Sequence, residues 1–333
     1  MKKLTILDSL RGFASVYVAL GHWIIVSSAP FLIKVFFRFG QEAVIIFFIL
    51  SGLVIFYADA NSKDLSLRKY FIKRFRRIYF PLVCAFIVSI IFASDTFSVR
   101  EFIGNLFMLQ DLGIARPGSI VNSFLGNNPL WSLSYEWVFY LMFPFVYPAI
   151  KNSDDRIHIV GIFCIINMMM YIVFPNHIFS VLSYFLIWWT GLELGEYFLG
   201  DRKKFKPKIL LGYYFVMLFI LLVNCIIYHK TNKSISLGYY PYLQFRNFGF
   251  AFICFVCSIY MTAMTKKLIG LLKIFSVFAP ISYGIYVLHY PILVQTSFNL
   301  PVYAEVLVKI ALVLSLAFLV EIVLQPKVNK LLK

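Results

Sequence analysis

Charge is scarce in this chain, and acidic charge scarcer still. Of its 333 residues 14% are Asp, Glu, Lys or Arg, with 15 acidic against 31 basic, whereas a soluble domain is roughly a quarter charged. A polar surface large enough to cover a water-soluble fold is therefore missing. The 61% hydrophobic and 19% aromatic content is that of a polytopic membrane protein. The net charge of +16 would point to nucleic acid in a soluble protein. Here the cations sit in the connections between apolar runs, so the membrane accounts for them and no nucleic-acid partner is expected. No glycine-rich phosphate loop, HExxH or GxSxG occurs, which excludes the commonest nucleotide hydrolases, metalloproteases and α/β-hydrolases. The five cysteines, Cys84, Cys164, Cys225, Cys254 and Cys257, all fall in apolar stretches. An odd, buried set argues against a disulfide framework. Cys254 and Cys257 share a helical face, yet no second Cys or His pair completes a metal site, so no metal is expected. The basic start "MKKLTILDSLRGF" is interrupted by Asp8 and Arg11 and is followed by no small-residue cleavage site, so it is read as retained.

What is present is a series of apolar segments near 9–28, 42–59, 77–94, 131–150, 157–174, 178–199, 209–228, 246–265, 280–297 and 302–324. Each is long enough for a spanning helix of about 20 residues. The stretch 102–114 is too short and too polar to cross, and is expected to be interfacial or re-entrant. With the N-terminus inside, cations in the alternate connections outnumber those on the other side by roughly three to one. The expectation is an all-α polytopic membrane protein of about ten transmembrane helices with both termini cytoplasmic. A single domain over 1–333 is expected, with no attached soluble domain.

In such a chain each ionisable group inside an apolar run is a candidate for function. Arg11 and His22 are eleven residues apart in the first span. That spacing returns a helix to within about 20° of the same face while climbing about 16 Å. Asp8 lies one turn before Arg11 as a possible partner. Glu136 enters five residues into the span beginning at Trp131, with Ser132, Ser134 and Tyr135 beside it, and the span from 280 carries His289. Three helices thus bring His22, Glu136 and His289 to similar depths. A histidine with a neighbouring carboxylate can serve as a general base, and Glu136 can orient the ring or contact substrate. Ser51 lies in "FFILSG", whose small residues permit close helix approach. Arg74, Arg76 and Arg77 belong to "RKYFIKRFRRIYFPL", 68–82, read either as a headgroup patch or as a clamp for phosphate, which arginine forks match.

Five motifs, in order over positions 7 to 291, together resemble the acyltransferase-3 family of integral-membrane acyltransferases. They are "LDSLRGFASVYVALGH", "FFILSG", "RFRRI", "WSLSYEW" and "SYGIYVLHYP". Ile45 stands where many members carry Asp, and Leu53 where Phe is common. The resemblance implies O-acylation of glycans at the bacterial cytoplasmic (inner) membrane. The donor would be acetyl-CoA or another acyl-CoA used from the cytoplasmic side, with no permanently bound cofactor. The acceptor would be a hydroxyl of a glycan or its lipid-linked sugar precursor. It also implies that His22 is the catalytic base, that Arg11 is essential and that Arg74 and Arg77 serve the donor. Ser51, Ser134, Tyr135, His289 and Asp8 are expected to support the site. The alternative is a transporter or flippase of a lipid-linked sugar, in which the same buried polar groups would line a path.

Overall fold

The computed structural model describes residues 2–60, 66–200, 202–232, 235–261, 267 and 270–331. Residues 262–265 of the eighth expected span lie outside these residues, as do Lys63, Lys233, Lys266 and Lys333 of the cationic connections. The chain is helical almost throughout. Helix α1 (Lys2–Val26) leads through the short α2 (Phe31–Phe36) and a 3-10 turn into α3 (Gly40–Ala60), followed by α4 (Leu67–Phe92). A compact segment comes next, with α5 (Val99–Leu106) and two two-residue strands, β1 (Gln110–Asp111) and β2 (Val121–Asn122), paired in parallel. Then follow α6 (Trp131–Ile150), α7 (Arg156–Val173), α8 (His177–Leu199), α9 (Pro207–Asn232) and α10 (Tyr242–Tyr260). A 3-10 stretch, Leu272–Ile281, runs into α11 (Ser282–Leu293). Finally α12 (Val302–Phe318) passes through a π-helical stretch, Leu319–Leu324, into α13 (Gln325–Leu331).

Among the described residues nine helical segments are long and apolar enough to cross a membrane, and they coincide with nine of the ten expected spans. The tenth, α6, has the length but carries Ser132, Ser134, Tyr135, Glu136, Tyr140, Pro144 and Pro148, which dilute its apolar character. One face of it is enclosed by the protein, with Trp131, Tyr135, Phe139 and Phe143 buried, while Leu141 and Phe145 on the other side are exposed. The stretch around 102–114 does not cross: α5 is one short amphipathic helix capped by the Ser98 hydroxyl, which accepts from Glu101 N. Asn105 ties its end to the strand pair, donating to Asn122 O and accepting from Phe124 N.

Helix α4 starts ten residues before its expected first residue, at Leu67 instead of 77. The cationic run is therefore the first turns of a helix, not a loop. Hydropathy marks where a helix enters lipid, but its backbone bonds need no apolar side chain, and Leu, Lys and Arg are strong helix formers. The consequence is functional, because a rigid helix fixes the directions in which these cations point.

Helices α3 and α8 pack backbone to backbone. A Cβ added at Gly52 would overlap the Trp188 carbonyl oxygen, and one at Gly191 would overlap that of Ile49. This reciprocal contact is the packing role expected of "FFILSG". Gly191→Val is predicted to destabilise the protein by about 1–3 kcal/mol, read as a lower melting temperature in detergent. A variant that melts with the wild type would show the interface to be loose.

Candidate active site

A cavity of about 640 Å³ opens where α1, α3, α4, α6, α11 and the last helix meet. Helical spacing aims its polar lining inward. Ser132, Glu136 and Tyr140 follow at i, i+4 and i+8 on α6, Ser282 and Tyr286 at i and i+4 on α11, and Lys73 and Arg77 at i and i+4 on α4. Arg74 and Arg76 of α4 and Arg11 of α1 complete a group of five cations. The Glu136 carboxylate accepts from the Tyr140 hydroxyl and, at 3.0 Å, from Ser51 Oγ. Trp188 Nε1 in turn donates to Ser51 Oγ at 3.1 Å. These four side chains form one connected network, and Glu136 is its only charge.

The cations are not equivalent. Arg77 Nη1 is 2.6 Å from Glu321 Oε2, and its guanidinium lies over the Tyr283 ring. Arg76 donates to the Asn329 carbonyl at 2.6 Å, fastening α4 to α13. Arg74 makes no ion pair among the described residues. It lies over the rings of Tyr70 and Tyr140, and its buried Nε has no hydrogen-bond partner among those residues. Arg11 and Asp8 interact electrostatically, as do Arg11 and Arg77, but Arg11 forms no ion pair among the described residues. Of the predicted site residues, Arg11, Ser51, Arg74, Arg76, Arg77 and Glu136 thus share one cavity.

His22 and His289 meet each other instead. His22 Nδ1 is 2.9 Å from His289 Nε2, and the ring planes differ by 8° with centroids 5.2 Å apart. Because the nitrogens are closer than the centroids, the rings face each other edge to edge in nearly one plane. His289 is fully buried, and His22 keeps part of its surface uncovered. The sequence left open whether Glu136 orients His22 or contacts substrate; Glu136 is bonded to Ser51 and Tyr140, and His22 faces an imidazole. The pair lies one helical turn beyond the cavity, since His289 follows the cavity residue Tyr286 by three positions on α11. That is a rise of about 4.5 Å. Phe47 and Tyr286, whose rings pack edge on, line the cavity, and the Tyr286 ring lies 6.2 Å from that of His289. Tyr286 is fixed there, donating to Pro129 O at 2.8 Å and bonded to Ser132 Oγ.

Two predicted residues fall elsewhere. At 100° per residue, Ser134 and Tyr135 turn away from the Glu136 face. Ser134 Oγ bonds the backbone oxygens of Gln110 and Trp131, and Tyr135 donates to Asp111 Oδ2 at 2.7 Å. They belong to a second polar cluster, built on Asp111. Its carboxylate also accepts from Arg116 Nη1 at 2.9 Å, Leu112 N at 2.7 Å and His177 Nδ1 at 3.1 Å. Burial alone would push this carboxyl up. Arg116, then His177 and the Tyr135 hydroxyl, outweigh burial and hold it below its ordinary value. Arg116 stacks 3.8 Å over Trp131. The cluster fastens the 99–130 segment to the starts of α6 and α8.

Sequence reading missed this cluster and Glu321. Both carried a signal: in a chain with 15 acidic residues, an Asp in a segment too short to span and a Glu inside the last apolar run each need a buried partner.

The class that this geometry defines is a multi-pass membrane enzyme with a cation-lined internal cavity. The family model for the acyltransferase-3 domain matches residues 4–325, and the chain belongs to the acyltransferase-3 family. It is an acyltransferase, which decides against the transporter alternative. All five motifs converge on the cavity or the histidine pair. The chain is 25% identical over 299 residues, 84% of its length and 80% of the other protein's, to "Putative acetyltransferase ORF330" of Acidianus two-tailed virus. It is 35% identical over 124 residues to "Acyltransferase MdmB" of Streptomyces mycarofaciens, covering 35% of this chain and 31% of that one. No solved structure matches it significantly.

Proposed function

We propose that the protein moves an acetyl or other short acyl group from acyl-CoA to a hydroxyl of a cell-surface carbohydrate or its lipid-linked precursor. It does so in the bacterial cytoplasmic membrane, with ten crossings and both termini in the cytoplasm. The observation that carries this reading is the cavity, which is lined by five cations and one carboxylate, with Arg77 already paired to Glu321. An apolar or neutral substrate would leave the remaining excess of positive charge uncompensated, whereas the phosphates of CoA would neutralise it with bidentate guanidinium bonds. The name of the viral relative, an acetyltransferase, favours a short acyl group.

In this reading the phosphates lie against Arg74 and Arg76 at the cytoplasmic mouth, and the thioester points along α11 past Phe47 and Tyr286 toward His22. The acceptor hydroxyl arrives from the opposite side. His22 removes its proton as the oxygen attacks the thioester carbon. The carbon–sulfur bond breaks, and the thiolate leaves with that proton as CoA thiol. Glu136, held by Ser51 and Tyr140, contacts substrate within the cavity instead of orienting His22.

The test is acyl transfer by the purified protein in lipid nanodiscs, with acetyl-CoA and lipid-linked oligosaccharides, followed by CoA thiol release and mass spectrometry of the glycan. An acyl mass that depends on acetyl-CoA is expected. Failure of every acyl-CoA to yield thiol or acylated glycan would sink the proposal. The arginines divide the effects. Arg74→Ala is expected to raise the donor KM about tenfold or more, the loss of a charge-assisted bond, with little change in melting temperature. Arg77→Ala is expected to lower the melting temperature as well, because it strands the buried Glu321.

A further inference from the structure

His289 Nδ1 lies 3.0 Å from the backbone oxygen of Ile285. A carbonyl oxygen accepts and never donates, so Nδ1 carries the hydrogen. In a neutral imidazole the other nitrogen then holds a lone pair, and His289 Nε2 is an acceptor. It faces His22 Nδ1 at 2.9 Å, so the hydrogen between the rings must come from His22. The second nitrogen of His22, Nε2, is left with its lone pair. It has no hydrogen-bond partner among the described residues, and the ring is incompletely covered.

From this chain of donors we infer that His289 is a positioning residue that locks His22 in the Nδ1–H tautomer, so that Nε2 is the proton-accepting atom of the base. A backbone carbonyl of α11 thus dictates, through two imidazoles, which atom of α1 takes the acceptor's proton. The inference rests on the proposed acyl transfer, and it assigns to an imidazole the orienting role for which a carboxylate is the familiar choice. The coplanar edge-to-edge rings direct the His22 N–H along the His289 lone pair. When Nε2 takes the hydroxyl proton, the imidazolium charge spreads across that bond. The same proton then passes to the departing sulfur, and both rings return to their starting tautomers. A neutral partner suits this depth, since a carboxylate there would add a buried charge whenever His22 is neutral.

The prediction compares two variants of the full chain in nanodiscs. His289→Gln supplies an amide oxygen that accepts from His22 Nδ1, and His289→Leu supplies nothing. The Leu variant should lose about a hundredfold or more in kcat, as when a base is left in the wrong tautomer, with donor KM unchanged. The Gln variant should stay within about tenfold of wild type. A Gln variant no more active than the Leu variant, or a change confined to KM, would overturn the inference. Should the Leu variant not fold, 15N spectra of histidine-labelled wild type decide, with signals assigned through His289→Gln and His22→Asn. Hydrogen on Nδ1 of both rings is expected, and hydrogen on Nε2 of His22 overturns it. Absence of any acyl transfer by wild type would instead sink the proposed function while leaving the tautomer result standing.

Discussion

His22→Asn should abolish acyl transfer while leaving the protein folded. An asparagine amide nitrogen takes the position of the imidazole Nδ1, so the bond to His289 Nε2 survives. What is lost is the Nε2 lone pair, the only feature of the ring that can take a proton from an acceptor hydroxyl. General base catalysis contributes about a hundred- to ten-thousand-fold, and the fall in kcat should be of that size, with donor KM unchanged because His22 does not line the cavity. His22→Ala should be equally inactive but less stable, since it leaves a buried acceptor on His289 unmatched at a cost of about 1–3 kcal/mol. Rates of CoA thiol release and melting temperatures in detergent separate the two effects. An Asn variant keeping more than about a tenth of wild-type activity would remove His22 from the chemistry.

The second large effect lies away from the cavity. Asp111→Leu removes the one carboxylate on which Arg116, His177, Tyr135 and Leu112 N converge. Arg116 is 1% exposed and its Nε already has no hydrogen-bond partner among the described residues, so its charge would be buried uncompensated. Breaking such a pair costs about 3–5 kcal/mol. The first structure to loosen should be the 99–130 segment, which hydrogen exchange would show as early deuteration there. Acid should act in the same direction. The folded Asp111 carboxyl is held below its ordinary value, so its contribution is complete above the unfolded value near pH 3.9. It is lost as pH falls through the lower folded value. A melting temperature as sensitive to acid in Asp111→Leu as in wild type would contradict this.

How legible the molecule was depends on which property is asked for. The apolar segments could be read directly because lipid imposes its thickness on each helix separately, and nine of them reappear among the described residues, with some ends shifted by up to about three turns. The start of α4 could not, since its first three turns interleave six cations with their apolar residues and are stabilised by propensity and by contacts with α13. The five motifs marked residues that line the cavity or form the histidine pair, but a motif fixes spacing along a helix and says nothing of the helix it faces. Depth alone made His22, Glu136 and His289 look like one constellation. In three dimensions the two histidines meet each other, and Glu136 is bonded to Ser51 and Tyr140 instead.

Sequence alone determined that this is a helical membrane protein, where its cations lie, and which face of each helix carries ionisable groups, because composition and a period of 3.6 residues are local quantities. The tertiary structure decided that His22 answers to His289 and Glu136 to Ser51, that Arg77 pairs with Glu321 while Arg74 forms no ion pair among the described residues, and that Tyr135 serves a different cluster. Those outcomes depend on which helices touch and at what rotation. That is set by contacts such as Gly52 against Trp188 and Gly191 against Ile49, which join residues more than a hundred positions apart.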